Sequence, residues 1–376
     1  MIRIGPRLQT YAWGQTDAIT RMLGLPDQSG PVSEAWFGAH ESAPSAIDGG
    51  GDLAAFIAAD PEATVGAERL PYLLKVLAVA TPLSLQVHPT DEQARAGFDH
   101  EQRDGVPLAA PARTFRDPRH KPELIVAVTP MRLLVGMRPA REVADDLHYL
   151  GADDLLPLVE DRESLLTYVM AVLSGHAGGY ALARLAECPD GDSSLALAAR
   201  AARAFPADPG ALVALAMNAV TLEPGESCYV APRVIHSYQS GIGVEIMANS
   251  DNVVRGGLTP KAVDVERLEA ILDAEPAAPH RPAVTRNGAA TTYSAPVDDF
   301  CLVRIEGGSA PTPAAARIVF SLDGAEVATG ASVEQLAPGQ ALFVPLSDGV
   351  AEVRSDGVTF VAMPGQLPGG RPGADL

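Results

Sequence analysis

Residues 70–89 read LPYLLKVLAVATPLSLQVHP, two apolar runs divided by a short polar break and closed by a proline. Apolar runs of this length, bounded by proline or polar residues, are typical of β-strands. Two further stretches have the same texture, PELIVAVTP at 122–130 and GVEIMANS at 243–250. Short strands are therefore predicted through residues 1–139 and again after Leu222.

Residues 140–219, between these β-rich parts, have a different residue pattern. Ala and Leu recur there with the spacing of amphipathic helices, which predicts a helical insert. The segments with this pattern are AREVADDLHYL (140–150), DRESLLTYVMAVLSG (161–175), GYALARLAEC (179–188), SSLALAARAARAF (193–205) and DPGALVALAMNAV (208–220). Two short helices are also predicted inside the first β-rich part, near 52–61 and 90–98, the second with Thr90 as its N-cap.

A weak internal repeat links two parts of the chain. LEPG at 222–225 leads into ESCYVAP, and LAPG at 336–339 leads into QALFVP. Both read as a Pro-Gly turn followed by a strand that ends at proline, a pattern that suits jelly-roll barrels. Only the first copy continues to a histidine, His236, so one barrel is predicted to carry a site and the other to be structural.

Composition excludes several classes of protein. The 376 residues include 28 Lys and Arg against 47 Asp and Glu, a net charge of −19, which argues against a nucleic-acid-binding protein. The apolar fraction of 47% excludes wholesale disorder. Neither a secretory leader nor a membrane span is predicted, and three widely spaced cysteines suggest no disulfide framework. The expected compartment is the cytoplasm, and any anionic ligand requires a local cationic site.

Two motifs place polar residues on one face of a predicted strand. In LSLQVHP, Ser84, Gln86 and His88 are two residues apart and share a face. In HKPE, Lys121 and Glu123 share a face, because Pro122 favours an extended backbone before it. An amphipathic strand with a solvated face and a solvated ion pair are the plainer explanations.

His236 completes a possible metal site. It follows a predicted strand, where a satisfied core or surface histidine is the ordinary alternative. Two imidazoles, one carboxylate and one amide oxygen together suit a borderline divalent metal. The four residues would be Gln86, His88, Glu123 and His236.

A third cluster, at 243–261, contains Glu245, Asp251, Arg255 and Lys261 around paired glycines. Glycines let a backbone approach a ligand closely, and arginine offers a planar fork for sugar or phosphate oxygens. A loop with a surface ion pair is the alternative explanation.

These motifs together resemble the type I mannose-6-phosphate isomerase (phosphomannose isomerase) family. The matching stretches occur in family order and span essentially the whole chain: YAWG (11–14), AWFGAHESAPS (35–45), residues 70–89, DPRHKPEL (117–124) and GVEIMANSDNVVRGGLTPK (243–261). The chain departs from the commoner family pattern at RVIHSY (233–238) and at His40-Glu41, where the family often has His-Pro.

The resemblance implies a mainly β fold with a helical insert, made of two cupin (jelly-roll) barrels and a helical subdomain. The expected domains are a catalytic barrel in two parts (1–139 and 220–262), the insert (140–219), and a C-terminal jelly-roll domain without a metal site (263–376). It also implies one zinc ion, bound by Gln86, His88, Glu123 and His236.

The implied reaction interconverts mannose 6-phosphate and fructose 6-phosphate through a cis-enediol. Arg255, Glu245, Lys121 and Asp251 are the expected catalytic residues; Ser84, Lys75, Lys121 and Arg255 are expected to bind substrate. Glu245 is favoured over Asp251 as the base, although it could instead orient Arg255.

Two other functions are weighed against the isomerase. One is another metal-dependent cupin enzyme, such as an iron-dependent oxygenase, and the other is a non-catalytic sugar-phosphate-binding cupin. The expected partner is a small sugar phosphate, without nucleic acid or membrane, and the expected assembly is a monomer.

Overall fold

A computed structural model describes residues 1–26, 28–111, 113–160, 163–175 and 178–366. Strands outnumber helices in these residues, and they lie on both sides of a helical region. The strands are β1 (Ile2–Gly5), β2 (Arg7–Gln9), β3 (Glu34–Phe37), β4 (Ala46–Ile47), β5 (Tyr72–Val79), β6 (Gln86–Val87), β7 (Glu123–Ala127), β8 (Met131–Met137), β9 (Met217–Leu222), β10 (Ser227–Val230), β11 (His236–Ala248), β12 (Val254–Arg255), β13 (Ala283–Asn287), β14 (Ala290–Ser294), β15 (Cys301–Thr312), β16 (Arg317–Ser321), β17 (Ala325–Thr329), β18 (Val333–Leu336), β19 (Ala341–Val344) and β20 (Ala351–Met363).

The helices concentrate where the Ala- and Leu-rich pattern predicts them. They are α1 (Ala18–Met22), α2 (Leu53–Ala59), α3 (Pro61–Thr64), α4 (Asp91–Arg103), α5 (Ala140–Leu150), α6 (Leu166–Leu173), α7 (Gly179–Ala186), α8 (Ser194–Ala204), α9 (Gly210–Leu215) and α10 (Val265–Ile271), with 3₁₀ turns at Leu156–Leu158 and Leu346–Asp348. The prediction of a mainly β protein with a helical insert is confirmed.

The strands form two antiparallel sheets. Sheet 1 runs β10-β7-β11-β5-β3-β2 and continues from β11 through β8 to β9 and through β6 to β12. Sheet 2 runs β13-β14-β15-β20-β16-β19-β1-β4, with β17 and β18 beside β20. All the polar motifs singled out in the sequence lie on sheet 1 or on the loops beside it.

Strand β11 belongs to both halves of sheet 1. Its first residues pair with β6 and β8, and its later residues pair with β5 and β7. The change of partners falls at Gly241, whose φ of 104° suits glycine and where a Cβ would lie 2.5 Å from the carbonyl oxygen of Pro130. Across this position, the Tyr238 hydroxyl contacts Glu245, further along the same strand.

One segment of the helical prediction is corrected by the structure. The predicted helix 208–220 ends at Leu215, and residues 217–222 form β9 instead. Pairing with β8 overrides the helical pattern, and the Asn218 amide donates to the carbonyl oxygens of Val135, Met137 and Ala277 at 2.9–3.1 Å. Asp161 and Arg162, which begin the predicted helix 161–175, lie outside the described residues.

The helix predicted after His88 is confirmed as α4, with Thr90 as N-cap in a reciprocal capping box with Gln93. The strand predicted around LSLQVHP is shorter than expected and covers only β6. The residues before β6 are joined to neighbouring segments by single backbone hydrogen bonds. The N–H of Leu83 donates to the carbonyl oxygen of Tyr238, and the N–H of Leu85 donates to that of Gly257.

Strands β1 and β4, near the start of the chain, join sheet 2 rather than sheet 1. β1 pairs with β19 in the register Ile4↔Ala341, and β4 pairs with β1. The expected division at 139, 219 and 262 therefore stays a prediction, and part of the segment 1–139 belongs to the sheet formed by the C-terminal strands. Among the described residues, no helix has both the length and the apolar character needed to cross a membrane.

Candidate active site

The first row of site residues crosses three strands of sheet 1. Trp36 on β3 lies opposite Lys75 on β5, which lies opposite Glu245 on β11. Directly opposed residues of antiparallel strands point to the same face, so the three side chains meet. Lys75 Nζ lies 3.3 Å from Glu245 Oε2 and 4.9 Å from the centre of the Trp36 ring, whose N–H donates to Glu34.

Lys75 is a buried cation that keeps its charge. Burial alone would lower the pKa of Lys75, but Glu34, Glu245 and Glu123 raise it above its ordinary value. The lysine is therefore an electrostatic partner of these carboxylates and does not act as a neutral amine.

A second row crosses the other half of sheet 1. Gln86 on β6 lies opposite His236 on β11 and opposite Arg255 on β12. The same rule directs the side chains of His236, Gln86 and Arg255 to one face. His88, two residues after Gln86, continues along that line.

Three buried groups converge at the end of this row. Nε2 of His88 lies 3.2 Å from one oxygen of Glu123, and Nε2 of His236 lies 3.3 Å from the other. One ligand atom from each of the three residues lies within 4.8 Å of the other two. Two imidazoles and a carboxylate are a ligand set common in catalytic zinc sites.

The hydrogen bonds of the two imidazoles fix which nitrogen is free. Nδ1 of His88 lies 2.7 Å from the carbonyl oxygen of Asn252, and Nδ1 of His236 lies 3.1 Å from that of Val234. A carbonyl can only accept, so each Nδ1 carries a proton, and the neutral form of each ring presents its Nε2 lone pair to Glu123.

That arrangement places acceptor against acceptor. Burial and the charge of Lys121 lower the pKa of His88 to about 4, so the ring is neutral at pH 7, and its buried Nε2 has no hydrogen-bond partner among the described residues. Burial would raise the pKa of Glu123, but the charge of Lys121 holds it well below its ordinary range. A lone pair facing a carboxylate is stabilised by a cation between them, so these residues fit a divalent metal.

Gln86 and Ser84 form fewer polar side-chain contacts among the described residues than His88, Glu123 and His236 do. Gln86 is half-buried, and its position in the second row brings its amide to the face of His236. No hydrogen bond of the Ser84 hydroxyl is found within the described residues, so its role in substrate binding stays a prediction. The structure brings together His88, Glu123 and His236 directly, and Gln86 by register.

Lys121 and Tyr238 connect the two rows. Lys121 Nζ lies 2.9 Å from Glu123. The Tyr238 hydroxyl donates to Glu245 at 2.7 Å and lies 3.5 Å from Glu123. Burial and the nearby Glu123 charge raise the pKa of Glu245. The salt bridge considered between Glu245 and Arg255 is replaced by the bond to Lys75, because register places Lys75, not Arg255, opposite Glu245.

A cluster of three cations lies at the far end of the second row. Burial lowers the pKa of Arg255, and the charge of Arg116 lowers it further. The charge of Arg255 lowers the pKa of Lys261, with burial and Arg116 adding to the effect. No carboxylate in the described part of the chain forms a salt bridge with Arg255. Mutually repelling cations without a counter-charge are suited to an anionic ligand.

Asn252 links this cluster to the group of His88, Glu123 and His236. Its side chain accepts from the Arg116 backbone N–H at 2.7 Å and donates to the carbonyl oxygens of Asp117 and Arg119 at 2.7 and 2.8 Å. Its own carbonyl is the acceptor for His88. One buried residue therefore fixes both the orientation of His88 and the loop that carries Arg116.

Sequence reasoning missed several residues of this site. The sequence motifs do not single out Arg116 and Lys261 as substrate ligands, although both lie in segments that contain several cations. These segments are RDPRHK at 116–121 and the end of the cluster at 243–261. Glu34, Tyr238 and Asn252 give no separate signal, because their importance depends on partners far away in the sequence.

Known proteins share this sequence pattern along nearly the whole chain. A family model described as phosphomannose isomerase type I, catalytic domain, matches residues 1–140. The chain is 33% identical over 380 residues to mannose-6-phosphate isomerase of Escherichia coli, covering 93% of this chain and 96% of that protein. It is 29% identical over 400 residues to the enzyme of Rattus norvegicus, covering 91% and 90%.

Solved structures show the same likeness. A crystal structure of mannose 6-phosphate isomerase from Salmonella typhimurium, bound to fructose 6-phosphate and zinc, superposes with a TM-score of 0.89 at 29% identity. The match covers 97% of this chain and 99% of that one.

Proposed function

The chain belongs to the mannose-6-phosphate isomerase family, and from this premise we propose how its own residues carry out the reaction. The protein is a zinc-dependent aldose–ketose isomerase that interconverts mannose 6-phosphate and fructose 6-phosphate. The observation that carries this conclusion is the buried group of His88, Glu123 and His236, whose ligand atoms lie within 4.8 Å of one another.

We propose that zinc is held by His88, Glu123 and His236, with Gln86 as the fourth protein ligand. The unpartnered Nε2 of His88 and the acceptor–acceptor contacts with Glu123 support this assignment. Bound zinc supplies an electrophile for a substrate carbonyl or hydroxyl oxygen. A set with a single carboxylate leaves the ion a net positive charge, which strengthens that role.

The base must move a proton between C1 and C2 through a cis-enediol. We propose Asp251 for this step rather than Glu245. Both Glu245 oxygens are engaged, by Lys75 and Tyr238, whereas the Asp251 side chain is partly exposed. Burial would raise the pKa of Asp251, but His40, Lys121 and Lys75 lower it, which keeps this carboxylate ionised and able to accept a proton. Glu245 then acts by holding Lys75 in place.

Lys121 is proposed to move the hydroxyl proton at the same end of the substrate. It contacts Glu123 at 2.9 Å, beside the metal ligands, and its charge acts on Asp251. Lys75 also acts on the Asp251 carboxylate and supplies a second fixed positive charge. This charge stabilises the negative charge that develops on the enediol oxygens. Both lysines therefore serve the reacting carbons.

The phosphate is proposed to bind at the opposite end, on Arg255, Arg116 and Lys261. Lys75 and Lys121 are paired with carboxylates, while these three cations repel one another. Two strand spacings, about 10 Å, separate Arg255 from His236, which suits an extended sugar phosphate lying between cation cluster and metal.

Arg255→Ala is expected to lower kcat/KM for mannose 6-phosphate about 100-fold, equivalent to about 2.8 kcal/mol of lost charged hydrogen bonding. Turnover of unphosphorylated mannose, however slow, should be unchanged, because it never uses the cation cluster. Steady-state kinetics with both sugars makes the comparison. Arg304→Ala, which removes an arginine paired with Glu306 on sheet 2, is the matched control. An equal loss with both sugars would place Arg255 at the reacting carbons instead.

The function itself is tested by following both directions of the reaction with purified protein. Zinc-loaded protein is expected to equilibrate mannose 6-phosphate and fructose 6-phosphate. Chelation should stop the reaction, and added zinc should restore it. Absence of turnover in a zinc-replete sample would contradict the function, and iron content with oxygen consumption would favour the oxygenase alternative, which no comparison supports.

Location and assembly are also proposed. Cys188, Cys228 and Cys301 are buried free thiols, which supports a reducing compartment such as the cytoplasm. A net charge of −19 disfavours self-association, which supports a monomer. Size-exclusion chromatography with light scattering tests the second point.

A further inference from the structure

His40 contacts one of the proposed catalytic groups from the turn that follows β3, inside the stretch 35–45, and no role has been assigned to it above. It follows β3 and is buried, with its ring 5.0 Å from Trp36 in an edge-on contact. Nε2 of His40 lies 3.3 Å from Oδ1 of Asp251. The first row of the site and the proposed base therefore meet at this imidazole.

The structure identifies the tautomer of this ring. The backbone N–H of Ser42 donates to Nδ1 at 3.3 Å, and the Ser42 hydroxyl lies 2.9 Å from the same atom. A backbone N–H can only donate, so Nδ1 is the acceptor and the ring proton is on Nε2. That proton faces Asp251.

The Asp251 carboxylate is attracted by more than one neighbouring group. Lys121 and Lys75 both act on its carboxylate. Its backbone N–H donates to Asp117 at 2.9 Å, which holds the main chain but leaves the side chain free to rotate. Without a donor at Oδ1, the carboxylate would rotate into an ion pair with one of the lysines, which would engage the oxygen needed for proton transfer. The His40 bond opposes that rotation and leaves Oδ2 available.

We propose that His40 is a positioning residue for the isomerase reaction, an Nε2–H donor that holds Asp251 in the orientation needed for proton transfer. The inference rests on the proposed function, in which Asp251 is the base. His40 does not touch the substrate, and it needs no positive charge to act. A neutral donor of the same reach should therefore replace it.

The test compares two substitutions of His40. His40→Leu removes the donor and is expected to lower kcat about 100-fold, because a misplaced catalytic group costs about that factor. The KM for mannose 6-phosphate and the zinc content should stay unchanged, since neither the cation cluster nor a metal ligand is altered. His40→Gln should recover kcat to within about fivefold, because its amide N–H reaches a similar point and one hydrogen bond is conserved.

Ser42→Ala is the matched control, since it keeps the backbone N–H that fixes the tautomer, and its kcat is expected to stay near that of the parent protein. A His40→Leu protein with unchanged kcat would overturn the proposal. So would a His40→Gln protein as slow as His40→Leu, because ring packing against Trp36 would then be the important property. Thermal melts of the zinc-loaded proteins identify any variant that fails to fold, and His40→Gln still decides the question.

A double variant separates this proposal from the assignment of the base. If His40 acts through Asp251, adding His40→Leu to Asp251→Asn produces no further loss of kcat. Multiplying losses would contradict the positioning role while leaving the base assignment intact. Normal turnover of Asp251→Asn alone would instead show that the base assignment is wrong.

Discussion

Glu123→Gln is expected to give a folded protein that holds no zinc and shows at least a 1,000-fold loss of turnover, on the order expected when a catalytic metal is removed. Glu123 supplies the only negative charge among the proposed ligands, and both imidazole Nε2 atoms lie within 3.3 Å of it. An amide keeps the shape but not the charge. Metal analysis of the purified variant, together with the isomerase assay, measures both effects.

The thermal melt provides a second readout for Glu123→Gln. Zinc that binds only the folded state raises the melting temperature of the parent protein, and this response should disappear in the variant. Glu352→Gln, an exposed glutamate on β20, controls for the loss of one negative charge. A Glu123→Gln protein that keeps one zinc ion per chain and most of its activity would contradict the ligand assignment.

Asp251→Asn is expected to lower kcat by a factor of about 100 to 10,000, the range that general-base groups contribute. An amide cannot accept the proton from carbon, while zinc content and the KM for mannose 6-phosphate should change little. Exchange of the C2 proton with solvent deuterium should be lost together with turnover, because both need the same proton abstraction. The measurement is nuclear magnetic resonance of the sugar in heavy water.

Glu245→Gln is the companion variant for the base assignment. It weakens the hold on Lys75 and should slow turnover far less than Asp251→Asn, with exchange retained. If Glu245→Gln loses exchange while Asp251→Asn keeps it, Glu245 is the base, as its raised pKa would permit. The two assignments of the base, to Asp251 or to Glu245, thus predict opposite results in the same exchange experiment.

The sequence predicts the class of fold because its signals are local. Strand and helix textures depend on neighbouring residues, and α4 begins where Thr90 and its capping pattern predict. The prediction that the helix at 208–220 continues to residue 220 is wrong, because the pairing of β9 with β8 overrides a locally helical composition. The pairing of β1 with β19, far away in the sequence, has no local signal.

The site was predictable in its residue types but not in its pairings. The four ligand candidates span 86 to 236, so spacing alone could not join them, and family resemblance named them together. The partner of Glu245 depends on the register between β11 and β5, which no single segment specifies. Arg116, Lys261 and His40 become site residues only through such long-range contacts.

The pairing of β1 with β19 has a consequence for how the chain is made. In a cell, Ile4 leaves the ribosome roughly 340 residues before its partner Ala341. Synthesis at about 5–20 residues per second makes that delay tens of seconds, during which the edge of β1 is unpaired. Sheet 2 is completed only late in translation, so the nascent enzyme depends on its last strands to cover its first.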